Sequence, residues 1–232
     1  MEAAADDERD LAAGDAGGAL GAALSVWYQH LGNPRSTVRV CGGGADGMKG
    51  SFLGPSYSDG EIEAFLEASE APHRLLPRQE VIEKAARALA NEKVVGWFQG
   101  RMEFGPRALG ARSILGNPQS SKMQSLMNLK IKFRESFRPF APSVLREAVA
   151  DYFELDCDSP YMLLVAAVRH DLQIPVENIG GEDLIETVNQ VRSSVPAVTH
   201  VDYSARIQTV SAHAKPDFYQ LIQEHNLIDY KI

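Results

Sequence analysis

Cysteine is scarce: Cys41 and Cys157 are the only two, far apart and without Cys-x-x-Cys spacing. Both read as free thiols, so neither a disulfide framework nor a thiolate metal cluster is expected. No run of eighteen apolar residues occurs, and no cationic start leads into an apolar signal segment. The expectation is a cytoplasmic chain without a membrane span. The six histidines, His30, His73, His170, His200, His213 and His225, show no i, i+4 pairing of the kind that builds a helical metal site. Positive charge is also in deficit overall, 23 Lys and Arg against 31 Asp and Glu for a net charge of −8. That balance argues against non-specific nucleic-acid binding by the whole molecule and leaves room only for a local basic groove.

What is present concentrates in one stretch. Of 232 residues 44% are apolar, enough for one substantial core or one core with a small appendage. Between Gly96 and Ser143 the sign of the charge reverses: Arg101, Arg107, Arg112, Lys122, Lys130, Lys132, Arg134 and Arg138 stand against only Glu103 and Glu135. Arg107 follows a proline and Arg138 precedes one, in Gly-Pro-Arg-Ala-Leu-Gly and Arg-Pro-Phe-Ala-Pro, where fixed φ angles favour stiff turns. A stiff turn presenting guanidinium forks suits phosphate or carboxylate oxygens. The alternative is a solvated charged face. Against it, Phe104, Leu109, Ile114, Phe133, Phe137 and Phe140 are interleaved so closely that many cations are expected near packed surface.

The rest reads as support. Residues 1–13 are acidic, alanine-rich and expected to fray. Gly14 to Leu24 and on through Tyr28 has a helix-like pattern rich in small residues, suiting close packing against backbone or ligand, with Asp15 where an N-cap would stand. Asn33 to Ser58 is glycine-rich and aperiodic, a connection rather than a phosphate loop, since Lys49 lacks the Gly-Lys-Ser/Thr ending. Short amphipathic helices are predicted around Ile62, Phe65 and Leu66 and around Val81, Ile82, Ala85, Ala86 and Leu89, with a strand at 94–98 behind them. A second strand is predicted at 113–115, then a helix from Gln119 to Phe133 with Met123, Leu126, Met127 and Ile131 inward. Lys130 there suits a helix C-terminus equally well. Further on come a helix at 145–153, a central strand at 161–168, an inserted excursion over 169–194, and two short strands meeting at a polar turn within 198–210. The segment from Pro216 predicts a helix with Phe218, Leu221 and Ile222 inward. The fold class is α/β (α+β). His200 and Asp202 fit either a ligand site or a buried pair holding a turn, and no nucleophile-elbow motif surrounds Ser204.

Three motifs, GWFQGRMEFGPRALGARSIL, Lys-x-Arg-Glu-x-x-Arg-Pro-Phe-Ala-Pro and HVDYSARIQTV, resemble the carbamoyltransferase family of nodulation-factor, cephamycin and tobramycin O-carbamoylating enzymes. The resemblance implies a C-terminal remnant of an actin/Hsp70-like transferase domain at 1–32, a linker at 33–51, and at 52–232 a YrdC/Sua-like twisted mixed sheet with flanking helices. The family's Thr-Gly strand, Asn-Thr-Ser-Phe-Asn motif and Glu-Pro-Ile do not follow residue 232, so the second domain is expected to be incomplete.

By the same resemblance, ATP with Mg²⁺ activates carbamoyl phosphate, and the carbamoyl group passes to a hydroxyl of a small-molecule or sugar acceptor. Arg107 and Lys132 would act at carbamoyl phosphate, with Arg101, Arg112, Arg134 and Arg138 around them; Met162, His200 and Arg206 would surround the nucleotide, although Met162 equally fits the core. Asp15 matches a ligand of a divalent metal, iron among the candidates, in the complete transferase domain. A homodimer is compatible with this picture. Two other classes stay open: an RNA-binding YrdC-like module, disfavoured by aromatics Phe133, Phe137 and Phe140 that read as internal, and a non-catalytic scaffold.

Overall fold

A computed structural model of the chain describes residues 15–34, 49–176 and 188–229, with side chains over 18–34, 49–176 and 188–226. The chain groups into two compact units, residues 1–73 with 98–112, and residues 74–97 with 113–232. The division into 1–32, 33–51 and 52–232 stays an expectation drawn from the resemblance.

In the first unit α1 (Asp15–Ser25) runs into a wider π turn at Val26–His30. Gly18 and Gly21 leave open space where a Cβ would stand, and Trp27 is exposed, so the close packing expected of this small-residue helix is not found among the described residues. Helix α2 (Asp59–Ala68) starts at a capping box: the Glu61 amide donates to the Ser58 hydroxyl, and the Ser58 amide donates to the Glu61 carboxylate at 2.7 Å. The Ser58 amide and the Ser58 hydroxyl, both donating to that carboxylate, hold the Glu61 carboxyl below the usual carboxylate range. Phe65 is 70% exposed, so the apolar stripe predicted for α2 finds no cover among the described residues.

A backbone clasp joins residues 51–55 to residues 102–104. Gly54 N–H donates to Met102 O at 2.9 Å, Met102 N–H to Pro55 O at 2.9 Å and Phe104 N–H to Ser51 O at 2.7 Å. The FLGPSYS segment is thus the partner that fixes the start of the arginine loop.

The second unit holds the main core. In α3 (Arg78–Ala90) the residues Ile82, Ala85, Ala86 and Leu89 recur at helical spacing and are buried, as predicted. They pack with Trp97, Val210 and the Phe218 and Leu221 face of the last helix, α6 (Pro216–Asp229). Burial of each large side chain here, such as Ile82, Leu89, Phe218 or Leu221, contributes about 1.5–3 kcal/mol. An ion pair of Arg78 with Asp217 joins the two helices at their ends.

The predicted sheet is smaller than expected. Three two-stranded sheets are found among the described residues: β1 (Val95–Phe98) with β2 (Arg112–Leu115), β3 (Ser143–Leu145) with β6 (Gln208–Val210) in parallel, and β4 (Val165–Ala167) with β5 (Ser204–Arg206) antiparallel. The central strand predicted at 161–168 reduces to β4, because Met162 turns left-handed at φ 56° and breaks the extended run. The strands within 198–210 do not form a hairpin with each other. They switch sheets at Ile207, where the amide donates to Leu164 O at 3.0 Å.

The helix predicted at 119–133 narrows to α4 (Met123–Met127), continues as a π turn over Asn128–Lys132, and stops at Phe133, φ 49° and ψ 51°. Met123 and Met127 are buried as predicted, while Ile131 is exposed. The helix predicted at 145–153 is a 3₁₀ turn, Arg146–Ala148, followed by α5 (Val149–Tyr152). No helix among the described residues is long and apolar enough to cross a membrane. Cys157 is exposed; Cys41 and the excursion's residues 177–187 lie outside the described residues.

Candidate anion and nucleotide site

The loop 98–112 is organised by Glu103, one of the two acids set among the cations of this stretch. Glu103 is 3% exposed. Its Oε1 accepts from the Leu109 amide at 2.6 Å and the Ala111 amide at 2.8 Å, and Arg112 Nε lies 3.3 Å from Oε2. Gly105 and Gly110 turn the loop at φ 105° and 99°, a region that side chains rarely tolerate. The loop therefore closes around one buried carboxylate, with donors pointing inward.

This arrangement sorts the predicted arginines. Arg112 is committed to Glu103 and to Gly105 O, at 2.8 Å from its guanidinium, so its first role is internal. Arg101 donates to Gly54 O at 2.6 Å and helps close the clasp. Arg107 differs: it is half-buried, and its Nε is shielded from solvent with no hydrogen-bond partner among the described residues. A buried ionised donor left unpaired is costly and is satisfied by an incoming acceptor.

The turn 133–138 in the second unit has a different keystone. Asn128 is fully buried; its Nδ2 donates to Ser136 O at 3.0 Å and Arg138 O at 2.7 Å, while its Oδ1 accepts from Arg134 Nε at 2.6 Å. Arg134 also lies over the Phe140 ring, 4.9 Å from its centroid. Arg138 pairs with Glu135 at 3.1 Å on an exposed surface. Lys132 is exposed at the end of the π turn. Phe133 is 85% exposed and Phe137 is exposed too, which corrects the expectation that both are internal. The backbone cause for Phe133 is its left-handed φ, which aims it away from the core side of α4.

On the β4–β5 pair, Arg206 stands opposite the exposed Val165, and Ser204 opposite Ala167. Ser204 bridges two neighbours: its hydroxyl donates to Asp202 Oδ1 at 2.6 Å and lies 3.0 Å from His200 Nδ1. The Ser204 amide donates to the same Asp202 oxygen at 3.0 Å. These donors hold the Asp202 carboxyl below its usual range. His200 is pushed below the ordinary histidine value mainly by burial and further by the nearby Arg206 charge, with Asp202 opposing. His200 and Asp202 are thus linked through a hydroxyl rather than paired directly.

Met162 is buried, and its segment is strapped down by Ser159, whose hydroxyl donates to Ile207 O at 2.8 Å and whose amide donates to Thr209 Oγ1 at 2.8 Å. Non-glycine residues held left-handed cluster at ligand sites, so Met162 keeps both of its readings. Three positioning residues, Glu103, Asn128 and Ser159, were not singled out as such from sequence. Their common signal is a polar residue inside an apolar or turn-rich run.

A cavity of about 180 Å³ in the second unit is lined by residues such as Met123, Phe140, Tyr152, Val198 and Ile222. None of the predicted site residues lines it, and an apolar hollow cannot hold a polyanion. The side chain of Asp15 lies outside the described set, and no cluster of three or more His, Cys, Asp or Glu suited to a metal occurs among the described residues.

Comparison with known proteins returns a consistent group. The family profile described as "Carbamoyltransferase C-terminus" matches residues 86–229. An uncharacterized protein of Synechocystis is 56% identical over 219 residues, covering 92% of this chain and 34% of the relative. Nodulation protein NolO of Bradyrhizobium diazoefficiens is 39% identical over 214 residues, 91% of this chain and 34% of the relative. A 3'-hydroxymethylcephem-O-carbamoyltransferase of Streptomyces clavuligerus is 33% identical over 208 residues, 90% of this chain and 32% of the relative. The chain spans about a third of the length of these curated relatives.

Proposed function

Because the chain belongs to the carbamoyltransferase family through its C-terminal region, we propose that it forms the part of an O-carbamoyltransferase that activates carbamoyl phosphate with ATP. The observation that carries this reading is Arg107, a half-buried guanidinium whose Nε lacks a partner among the described residues. It sits on a loop whose other cations are already tied to protein acceptors. An anion is the natural complement of such a donor. Arg107 would bind the phosphoryl oxygens of carbamoyl phosphate. Lys132, in the second unit, would supply positive charge for the same reaction, with Arg134 and Arg138 supporting it.

The balance consumes one water: carbamoyl phosphate releases inorganic phosphate, and the carbamate oxygen then attacks the α-phosphorus of ATP with loss of pyrophosphate. Mg²⁺ on the nucleotide would screen the triphosphate; the cations of this chain orient the reactants and stabilise charge as it develops. The carbamoyl group would then pass from the adenylate to a hydroxyl of a small-molecule or sugar acceptor, with release of AMP. The YrdC/Sua-like sheet, the terminal helix of an actin/Hsp70-like domain and a homodimeric assembly belong to the same proposal.

Calorimetric titration with ATP and carbamoyl phosphate, singly and together, tests it. In the titration Arg107→Ala is expected to weaken carbamoyl phosphate binding, and in turnover the loss of one well-placed donor should remove about 2.7–4 kcal/mol of transition-state stabilisation. Unchanged binding of both ligands to that variant would overturn the reading.

A second reading has one specific support. Exposed Phe133 and Phe137 stand among Lys130, Lys132 and Arg138, the mixture of cations and aromatic platforms that single-stranded nucleic acid uses. RNA affinity that falls steeply with salt would favour it; no RNA binding at moderate salt would remove it.

A further inference from the structure

We propose that Ser204 and Asp202 act together to fix His200 as the Nδ1–H tautomer, leaving Nε2 as a neutral acceptor for an N–H or O–H donor of the nucleotide. The ligand half of this proposal rests on the ATP-binding reading above; the tautomer half does not.

The argument is one of proton direction. An ionised carboxylate has only acceptor sites, so the single hydroxyl proton of Ser204 is drawn to Asp202 Oδ1 at 2.6 Å. Asp202 is held ionised by that donor and by the Ser204 amide at 3.0 Å. With its proton committed, the hydroxyl offers His200 only a lone pair. The 3.0 Å contact to Nδ1 is then a hydrogen bond only if the ring nitrogen carries the proton. Burial, with Arg206 adding to it and Asp202 opposing, lowers the affinity of the ring for a second proton, which favours a free lone pair on Nε2 at pH 7.5.

The backbone makes the geometry rigid. His200 N–H donates to Ser204 O at 2.7 Å, Tyr203 N–H donates to His200 O at 3.1 Å, and Tyr203 turns left-handed at φ 65°. The direction of the proton also excludes Ser204 as a nucleophile. A histidine base would have to accept the hydroxyl proton, and here it goes to Asp202 instead. Ser204 is a positioning residue, acting through His200.

The experiment is ¹⁵N-detected NMR of the histidine ring nitrogens at pH 7.5, with and without ATP and Mg²⁺. In the unmodified chain the expected pattern for His200 is a protonated Nδ1 and an unprotonated Nε2; the reverse pattern, or a charged ring, overturns the proposal. Asp202→Ala frees the hydroxyl to donate to Nδ1, so the tautomer should shift towards Nε2–H; an unchanged tautomer overturns it. Ser204→Thr keeps the hydroxyl and should keep the pattern, which separates tautomer control from general disturbance of the turn.

With ATP bound, the Nε2 resonance should move, and Ser204→Ala should weaken ATP by roughly 3–10-fold, one net hydrogen bond. ATP binding with an unmoved Nε2 overturns the ligand half. Failure of ATP to bind at all would instead sink the functional reading, while the tautomer result would stand. Affinity lost with 2′-deoxy-ATP points to the ribose as donor, and affinity lost with inosine triphosphate points to the exocyclic amine.

Discussion

The loop at 98–112 and the turn at 133–138 both carry arginines beside prolines, yet the first closes on a carboxylate and the second on an amide. Glu103 accepts from two amides and faces a guanidinium. Asn128 accepts once and donates twice, to the carbonyls of Ser136 and Arg138. The difference follows from which backbone groups each bend turns inward: N–H groups in the first, C=O groups in the second. A loop of inward donors needs an acid, and an acid there also disciplines Arg112. A loop of inward acceptors needs donors, and a neutral amide provides them without adding charge beside the cations.

The largest expected effect breaks the first keystone. Glu103→Ala strands two buried amides, at about 1–3 kcal/mol each, and leaves Arg112 with Gly105 O but no anion. Chemical unfolding should report a loss of about 2–6 kcal/mol by the same count, and limited proteolysis should open within 98–112. Glu103→Gln keeps an oxygen for both amides and should lose clearly less. Equal losses for the two variants would mean that the charge, not the acceptor, holds the loop.

Next in size, Asn128→Ala removes two donors from carbonyls nearer the surface and should cost about 1–3 kcal/mol. Asn128→Asp is the sharper probe, because it sets an acceptor against two acceptors. It should destabilise more than the alanine despite its closer shape. If it does not, the turn is held by Arg134 over Phe140 and not by the amide.

Much of this contrast was legible in the sequence, and its keystones were not. Spacing found α3, β1, β2 and α6, because a buried stripe of Ile82, Ala85, Ala86 and Leu89 writes its period directly into the chain. Proline neighbours found both bends. The long helix at 119–133 and the strand at 161–168 were overcalled because their apolar content continues past Asn128 and Met162, where a buried side-chain network and a left-handed residue end regularity. Periodicity cannot register either cause. Phe133 and Phe137 read as internal from their neighbours, whereas the left-handed φ at Phe133 turns that ring outward. Of the candidate site, the residue types were visible; which arginines are already spent on Gly54, Gly105 and Glu103 was not.

A smaller and more selective comparison sets Arg112 against Arg107. Arg112→Ala should lower stability, by up to about 1 kcal/mol for a partly exposed pair, and leave ligand affinity nearly unchanged. Arg107→Ala should do the opposite, sparing the unfolding midpoint while weakening anion binding. Matched losses of stability and affinity in both variants would erase the division of labour between the two arginines.

The smallest effect lies in the pH dependence of stability and comes from His200, shifted mainly by burial, and from Asp202, shifted by the Ser204 donors. His200 in the folded chain titrates below the ordinary histidine value of about 6.5. Below that value the unfolded chain therefore binds the proton more readily, and stability falls as pH drops from about 6.5 through the depressed folded value. Asp202 is depressed as well, so its contribution persists above the ordinary carboxylate value and is lost only at more acid pH. Two separate acid steps are expected in the unfolding midpoint. His200→Gln should abolish the upper step and keep the lower, and an upper step that survives this substitution would have to belong to another histidine.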